Sequence, residues 1–112
     1  MSTPKTTPQA SITIDDTTND SVTILHQSGD TLAENDTRIV VYDEESDTTY
    51  TFDAGSTTVQ AAIPGPDFET GERATINIGT NDALTDDGTV EVRVIDSSSG
   101  GTISQPSATV TY

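Results

Sequence analysis

The chain has 112 residues, the size of a single domain. Its 19 acidic residues outnumber 4 basic ones, for a formal net charge of −15, which excludes nucleic acids and anionic membranes as partners because phosphate contacts need Lys and Arg. Cysteine is absent, so disulfides are excluded, and no apolar run is long enough for a signal-peptide core or a membrane span.

Repulsion on this scale destabilises a compact domain in dilute buffer, and salt relieves it, since the Debye length falls from about 10 Å at 0.1 M to about 3 Å at 1 M. The one lysine is Lys5, and threonine makes up about a fifth of the chain. Acidic, lysine-poor and threonine-rich is the composition expected of a protein from a hypersaline habitat. Hydrophobic residues reach only 30%, against about 45–50% for globular chains, so composition alone admits disorder. The patterning argues against it.

Residues 1–9 (MSTPKTTPQ) read as a disordered lead-in or added linker, with Pro4 and Pro8 opposing helix, and residues 10–112 as one domain. No segment carries a capped helical period. Period-two alternation recurs instead, bounded by Gly, Asp, Asn, Ser and Pro. Ile12 and Ile14 share one strand face, and Val22, Ile24 and His26 another. Arg38 to Tyr42 is a near-continuous apolar strand, and Thr48 to Phe52 sets Tyr50 and Phe52 on one side. Val59, Ala61 and Ile63 read as a strand stopped by Pro64-Gly65-Pro66. Ala74, Ile76 and Ile78 follow, and then Val90, Val92 and Val94, with Glu91 and Arg93 turned to solvent. Ala108, Val110 and Tyr112 close the series.

Turns are expected at Gln27–Asp30 and Asp86–Thr89, each with glycine at a positive φ, a flexible tip at Ser97–Gly101, and a short helical turn at Asn81–Leu84. The pattern predicts an all-β, immunoglobulin-like β-sandwich of about seven to eight antiparallel strands.

Chemistry is sparse. The single histidine, His26, has Ser28 and Asp30 close by, but triad members converge from separate elements. These three lie on one strand end and its turn, so no catalytic residue is assigned and the chain is read as no enzyme. His26, Gly29 and Asp30 are read as a structural turn motif, with Asp30 accepting from the ring or from turn backbone. Among the carboxylate clusters, Asp43, Glu45 and Asp47 are the best candidates for a hard cation such as Ca2+, which wants six to eight oxygens. No cluster has the spacing of an EF-hand loop, and no cofactor is implied. Asn19-Asp20-Ser21 and Asn35-Asp36-Thr37 are N-glycosylation sequons in expected loops.

The segment Val22-Thr23-Ile24-Leu25-His26-Gln27-Ser28-Gly29-Asp30-Thr31-Leu32, running on to the strand at Arg38–Tyr42, resembles the soluble domain of haloarchaeal type IV pilins and pilin-like proteins. There a V-T-I-x-H strand enters a G-G-D turn, and Ser28 stands here where glycine is common. Phe68-Glu69-Thr70-Gly71-Glu72-Arg73-Ala74 is a weaker echo. The resemblance is close over residues 21–42 and loose over 10–112. Such pilins begin with a cleavable signal and a hydrophobic helix, so the MSTPKTTPQ start suggests an excised head domain with an added Met1.

The resemblance implies an extracellular sandwich on the surface of a filament, serving assembly and adhesion. Other pilin subunits would be its partners, in a homo-oligomeric filament built through the missing helix, with no membrane contact by this part. The rival expectation is a carbohydrate- or calcium-binding accessory module of a secreted haloarchaeal protein. Sugar-binding faces usually carry exposed aromatics, and Tyr42, Tyr50, Phe52, Phe68 and Tyr112 mostly read as core.

Overall fold

The computed structural model describes residues 7–63, 65–79 and 83–112. Two antiparallel sheets enclose one core. The first has the order β1-β2-β7, from β1 (Ala10–Thr17), β2 (Ser21–Gly29) and β7 (Arg73–Asn77). The second runs β10-β8-β4-β5, from β10 (Ser107–Thr109), β8 (Thr89–Asp96), β4 (Thr37–Asp43) and β5 (Thr48–Phe52), with β9 (Thr102–Ser104) also on β8. A two-residue pair, β3 (Leu32–Ala33) with β6 (Asp67–Phe68), stands apart, and a 3-10 turn at Glu34–Asp36 follows β3. This is the expected all-β sandwich. Among the described residues, eight strands have three or more residues.

Alternation explains the burial. Val92 and Val94 of β8 face Val41 and Ile39 of β4 in register, Val90 lies opposite Asp43, and all six are wholly buried. Val22 and Ile24 meet Ile76 and Ala74 across β2 and β7 in the same way. Each such valine or isoleucine contributes about 1.5–3 kcal/mol when fully removed from water. Outward positions carry Thr and charge: Thr23 and Thr75 share a hydroxyl contact of 2.9 Å, and Arg93 pairs with Glu91 at 3.0 Å.

β1 also closes the far side of the sandwich, running alongside the C-terminal segment. Hydroxyls bridge that seam. Ser104 Oγ donates to the Ile12 carbonyl and accepts from the Ile12 N–H, both at 3.3 Å, and Thr17 Oγ1 accepts from the Thr111 N–H at 3.0 Å. An extra residue at Asp15 bulges β1 opposite β2 and turns its carboxylate to Arg73 at 2.8 Å.

Three expectations are corrected. Val59 to Ile63 is not a strand: α1 (Thr57–Ala62) is a short helix whose N-cap, Ser56, accepts from the Val59 N–H. Val59, Ala62 and Ile63 are buried and Ala61 is exposed, the i, i+3, i+4 pattern of a helix. In the Asp86–Thr89 turn the positive φ falls on Asp87 (64°) and not on Gly88. Gly88 is small for another reason, since a Cβ there would lie 2.7 Å from Glu45 Cγ. The Ser97–Gly101 tip is tied down by the buried Asp96, which accepts from Ser98 Oγ at 3.0 Å, Ser99 Oγ at 2.8 Å and Ser99 N–H at 3.2 Å.

The helical turn expected at Asn81–Leu84 and the stop at Pro64 lie wholly or partly outside the described residues, as does most of the lead-in. Of that lead-in, Thr7 Oγ1 meets Ser99 Oγ at 2.7 Å and Gln9 bonds Asp30. Among the described residues, no helix is long and apolar enough to cross a membrane.

Candidate functional site

A polar cluster is built where β2 ends. His26 is wholly buried on the same inward face of β2 as Val22 and Ile24, and the next residue, Gln27, is an extra one in the pairing with β1. The His26 N–H donates to the Glu72 carbonyl at 3.0 Å, and the His26 carbonyl accepts from the Gly71 N–H at 2.7 Å. The ring meets Phe68 edge-on, with centroids 5.3 Å apart and planes at 74°. Nε2 lies 2.7 Å from the Asp30 carbonyl oxygen. A carbonyl can only accept, so Nε2 carries the proton. Nδ1 has no hydrogen-bond partner among the described residues.

Gly29 and Asp30 complete the turn. Gly29 has φ 106°, and a Cβ there would collide with the Gln9 carbonyl oxygen and sit 2.6 Å from Ala10 Cα. Only glycine tolerates both the torsion and the approach. Beyond it the Asp30 N–H donates to the Gln9 carbonyl at 2.7 Å, while the Asp30 carboxylate accepts from the Gln9 N–H at 2.9 Å. The structure therefore brings His26, Gly29 and Asp30 together. The ring bonds the Asp30 backbone, and the carboxylate holds the incoming chain instead.

Sequence reasoning missed what lies on the other side. Phe68, Gly71 and Glu72, from the second and weaker motif, are the groups that pack on and bond His26, and Leu32 pairs with Phe68 across β3 and β6. The two motif segments are contacts of one another.

The carboxylates proposed for a cation do not converge. Asp43 is fully buried, and its Oδ2 accepts from Ser46 Oγ at 2.8 Å and Thr85 Oγ1 at 2.9 Å, with Oδ1 unpartnered among the described residues. Glu45 is exposed beside Gly88. Asp47, at φ 53°, accepts from the Tyr42 hydroxyl at 2.5 Å. That hydrogen bond, with some desolvation and the charges of Asp47, Glu44 and Glu91, raises the Tyr42 pKa above its ordinary value. Among the described residues no three His, Cys, Asp or Glu side chains gather as metal ligands do. Neighbours in sequence here point in different directions because a strand end and a tight turn separate them.

No triad forms either. Ser28 is exposed in register with Ser11, whereas His26 is buried. A groove of about 560 Å3 is open and lined by Arg38, Asp53, Ala54, Ile95, Ser97 and Gly100. Its charged groups pair with each other at 2.9 Å. Of the sequons, Asn35 is exposed on the 3-10 turn, while Asn19 is half-buried in the β1–β2 turn and its carbonyl accepts from the Leu84 N–H at 2.9 Å. Phe68 is core, Tyr50 and Phe52 pack against it partly buried, and Tyr112 is 57% exposed.

The fold is that of an all-β sandwich protein. No protein-family model matches the chain, and no curated protein resembles it. Solved structures do. The archaellum periplasmic stator protein complex of FlaF and FlaG from Sulfolobus acidocaldarius is similar at TM-score 0.50 and 10% identity, over 87% of this chain and 85% of that one. FlaG from the same organism gives TM-score 0.48 at 11% identity, over 88% and 97%. At such identities the likeness is one of fold.

Proposed function

We propose that this chain is a structural, extracellular β-sandwich domain of an archaeal surface-filament system, working through protein partners and not through catalysis. The observation that carries the reading is the sandwich shared with the archaellum stator complex across most of both chains. The pilin-like segment Val22–Leu32 supports it, since its His26, Gly29 and Asp30 are joined in one turn. Within the reading, the domain is the surface-exposed head of a type IV pilin subunit serving assembly and adhesion, Asn35 is the better placed of the two glycan acceptors, and the acidic surface is an adaptation to salt.

Immunogold electron microscopy on the source cells tests the assignment. Gold along thin filaments supports the pilin head. Gold confined to the cell envelope would instead favour a stator-like component of the same system. Gold shed into the medium or inside the cell overturns both. The salt adaptation has its own test: the melting temperature rises steadily as KCl goes from about 0.1 M to about 2 M, because screening removes net repulsion. A flat curve removes the halophilic element and leaves the filament reading standing.

A further inference from the structure

β1 and the C-terminal segment lie side by side and run the same way. Ile12 stands opposite Ser104 and Thr17 opposite Thr111, so residue numbers climb together along the seam. Parallel neighbours put the start of β1 at one end of the sandwich and Tyr112 at the other. Among the described residues no backbone–backbone hydrogen bond crosses this seam. Two hydroxyls close it instead, one at each end. Ser104 Oγ holds both backbone groups of Ile12 at 3.3 Å, and Thr17 Oγ1 holds those of Thr111, the N–H at 3.0 Å and the carbonyl at 3.5 Å. Thr17 is buried, so water does not compete for its bonds. Between the two bridges a slot of about 210 Å3 opens, with Ile14 and Asp16 on one wall and Ala108 and Thr109 on the other.

The chain is fastened again just outside each bridge. Before β1, Gln9 exchanges two bonds with Asp30, at 2.9 Å and 2.7 Å, and Thr7 meets Ser99 at 2.7 Å. After β10, the Val110 N–H donates to the Gly88 carbonyl at 2.8 Å, and the Val110 carbonyl accepts from the Asp87 N–H at 2.9 Å. Tyr112 then donates its N–H to the Asp86 carboxylate at 3.2 Å and its hydroxyl to the Leu84 carbonyl at 3.0 Å.

We propose that the domain carries tension along its length, between Gln9 and Tyr112, with the seam of β1 and the C-terminal segment as its shear clamp. Force applied at those two points pulls from opposite ends of the sandwich. It slides β1 along its neighbour, so both bridges and both outer fastenings resist at once. Force applied to the two strands from the same end opens the bridges one after the other, and each meets the full pull alone. Resistance therefore depends on direction. The clamp rests on the seam geometry and does not depend on the filament reading.

Single-molecule force spectroscopy on the full chain tests it, in about 2 M KCl to screen the acidic surface. The chain has no cysteine, so introduced ones fix the handles. Ser2→Cys with a cysteine appended after Tyr112 pulls in shear, and Ser2→Cys with Gln105→Cys peels the strands apart from one end. The domain ruptures at clearly higher force in shear than in peel. Ser104→Ala with Thr17→Val removes both bridges and speeds forced unfolding in shear by about tenfold. Ser104→Ala alone, at a half-buried position, gives a smaller shift in the same direction. Ile76→Val trims the core on β7, beyond β2 from the seam, and leaves the shear rate within about twofold. Equal rupture forces in the two geometries overturn the proposal. So does a shear rate that the bridge variants leave unchanged, or one that Ile76→Val shifts as far as they do.

Discussion

Two buried aspartates sit at opposite ends of the five-stranded sheet, and they are held differently. Asp96 ends β8, and its own loop bends back to it, with both oxygens accepting from Ser98 and Oδ2 also from Ser99. Asp43 ends β4, and one oxygen fastens Ser46 and Thr85, the latter 42 positions away, while the other oxygen has no partner among the described residues. Burial by itself works against a charged carboxylate, and hydrogen-bond donors work for it. For Asp96 burial is the largest single influence and raises the pKa, yet the hydrogen bonds from Ser99 and Ser98 together outweigh it and hold the carboxyl below its ordinary 3.8. A local loop can satisfy a buried carboxylate fully. The distant partner Thr85 ties the β7–β8 connection to β4.

The sharpest break in the comparison is a third buried carboxylate with no donor at all. Val92→Asp sets one midway along β8, facing Val41. It abolishes cooperative unfolding in a denaturant titration, since an unpaired charge cannot be accommodated there. Retained two-state unfolding would mean that the register is one residue out.

Next in size is Asp96→Ala. It strips the Ser97–Gly101 loop of its acceptor and costs roughly 2–3 kcal/mol in urea unfolding. The depressed pKa adds a pH signature. The native value lies below the unfolded one, so this stabilisation is fully present above about pH 4 and is lost as pH falls through the native value. Asp96→Asn therefore flattens the acid limb of the stability curve relative to wild type, and identical acid limbs would refute the assignment.

Asp43→Asn is the smallest change, at about 1 kcal/mol or less of either sign. It removes a buried charge that one oxygen leaves unpaired, while the other can still accept from Ser46 and Thr85. A loss as large as that at Asp96 would erase the distinction drawn between the two sites.

Legibility in the sequence differs by element. Alternation alone places β5 with its observed bounds and sets Val90, Val92 and Val94 on the core face, because a run of five or more alternating residues has one face to bury. α1 escapes that logic. Val59, Ala61 and Ile63 alternate as well, and in six residues a strand period and a helical one coincide. Nothing local favours the helix except Ser56, whose capping role depends on where the chain turns.

At the His26 turn, the sequence supplied the residues: a histidine, a glycine that had to be glycine, and an aspartate close behind. It also dictated the sandwich, because the period of apolar positions follows from strand geometry and needs no knowledge of the partner strand. Which oxygen of Asp30 meets the ring, why Phe68 and Glu72 surround it, and why Asp43 and Asp47 diverge were decided only by tertiary structure. Those contacts join positions up to 46 apart in His26 and Glu72, and their geometry rests on bulges, strand ends and a packed interior that no short stretch of chain encodes by itself.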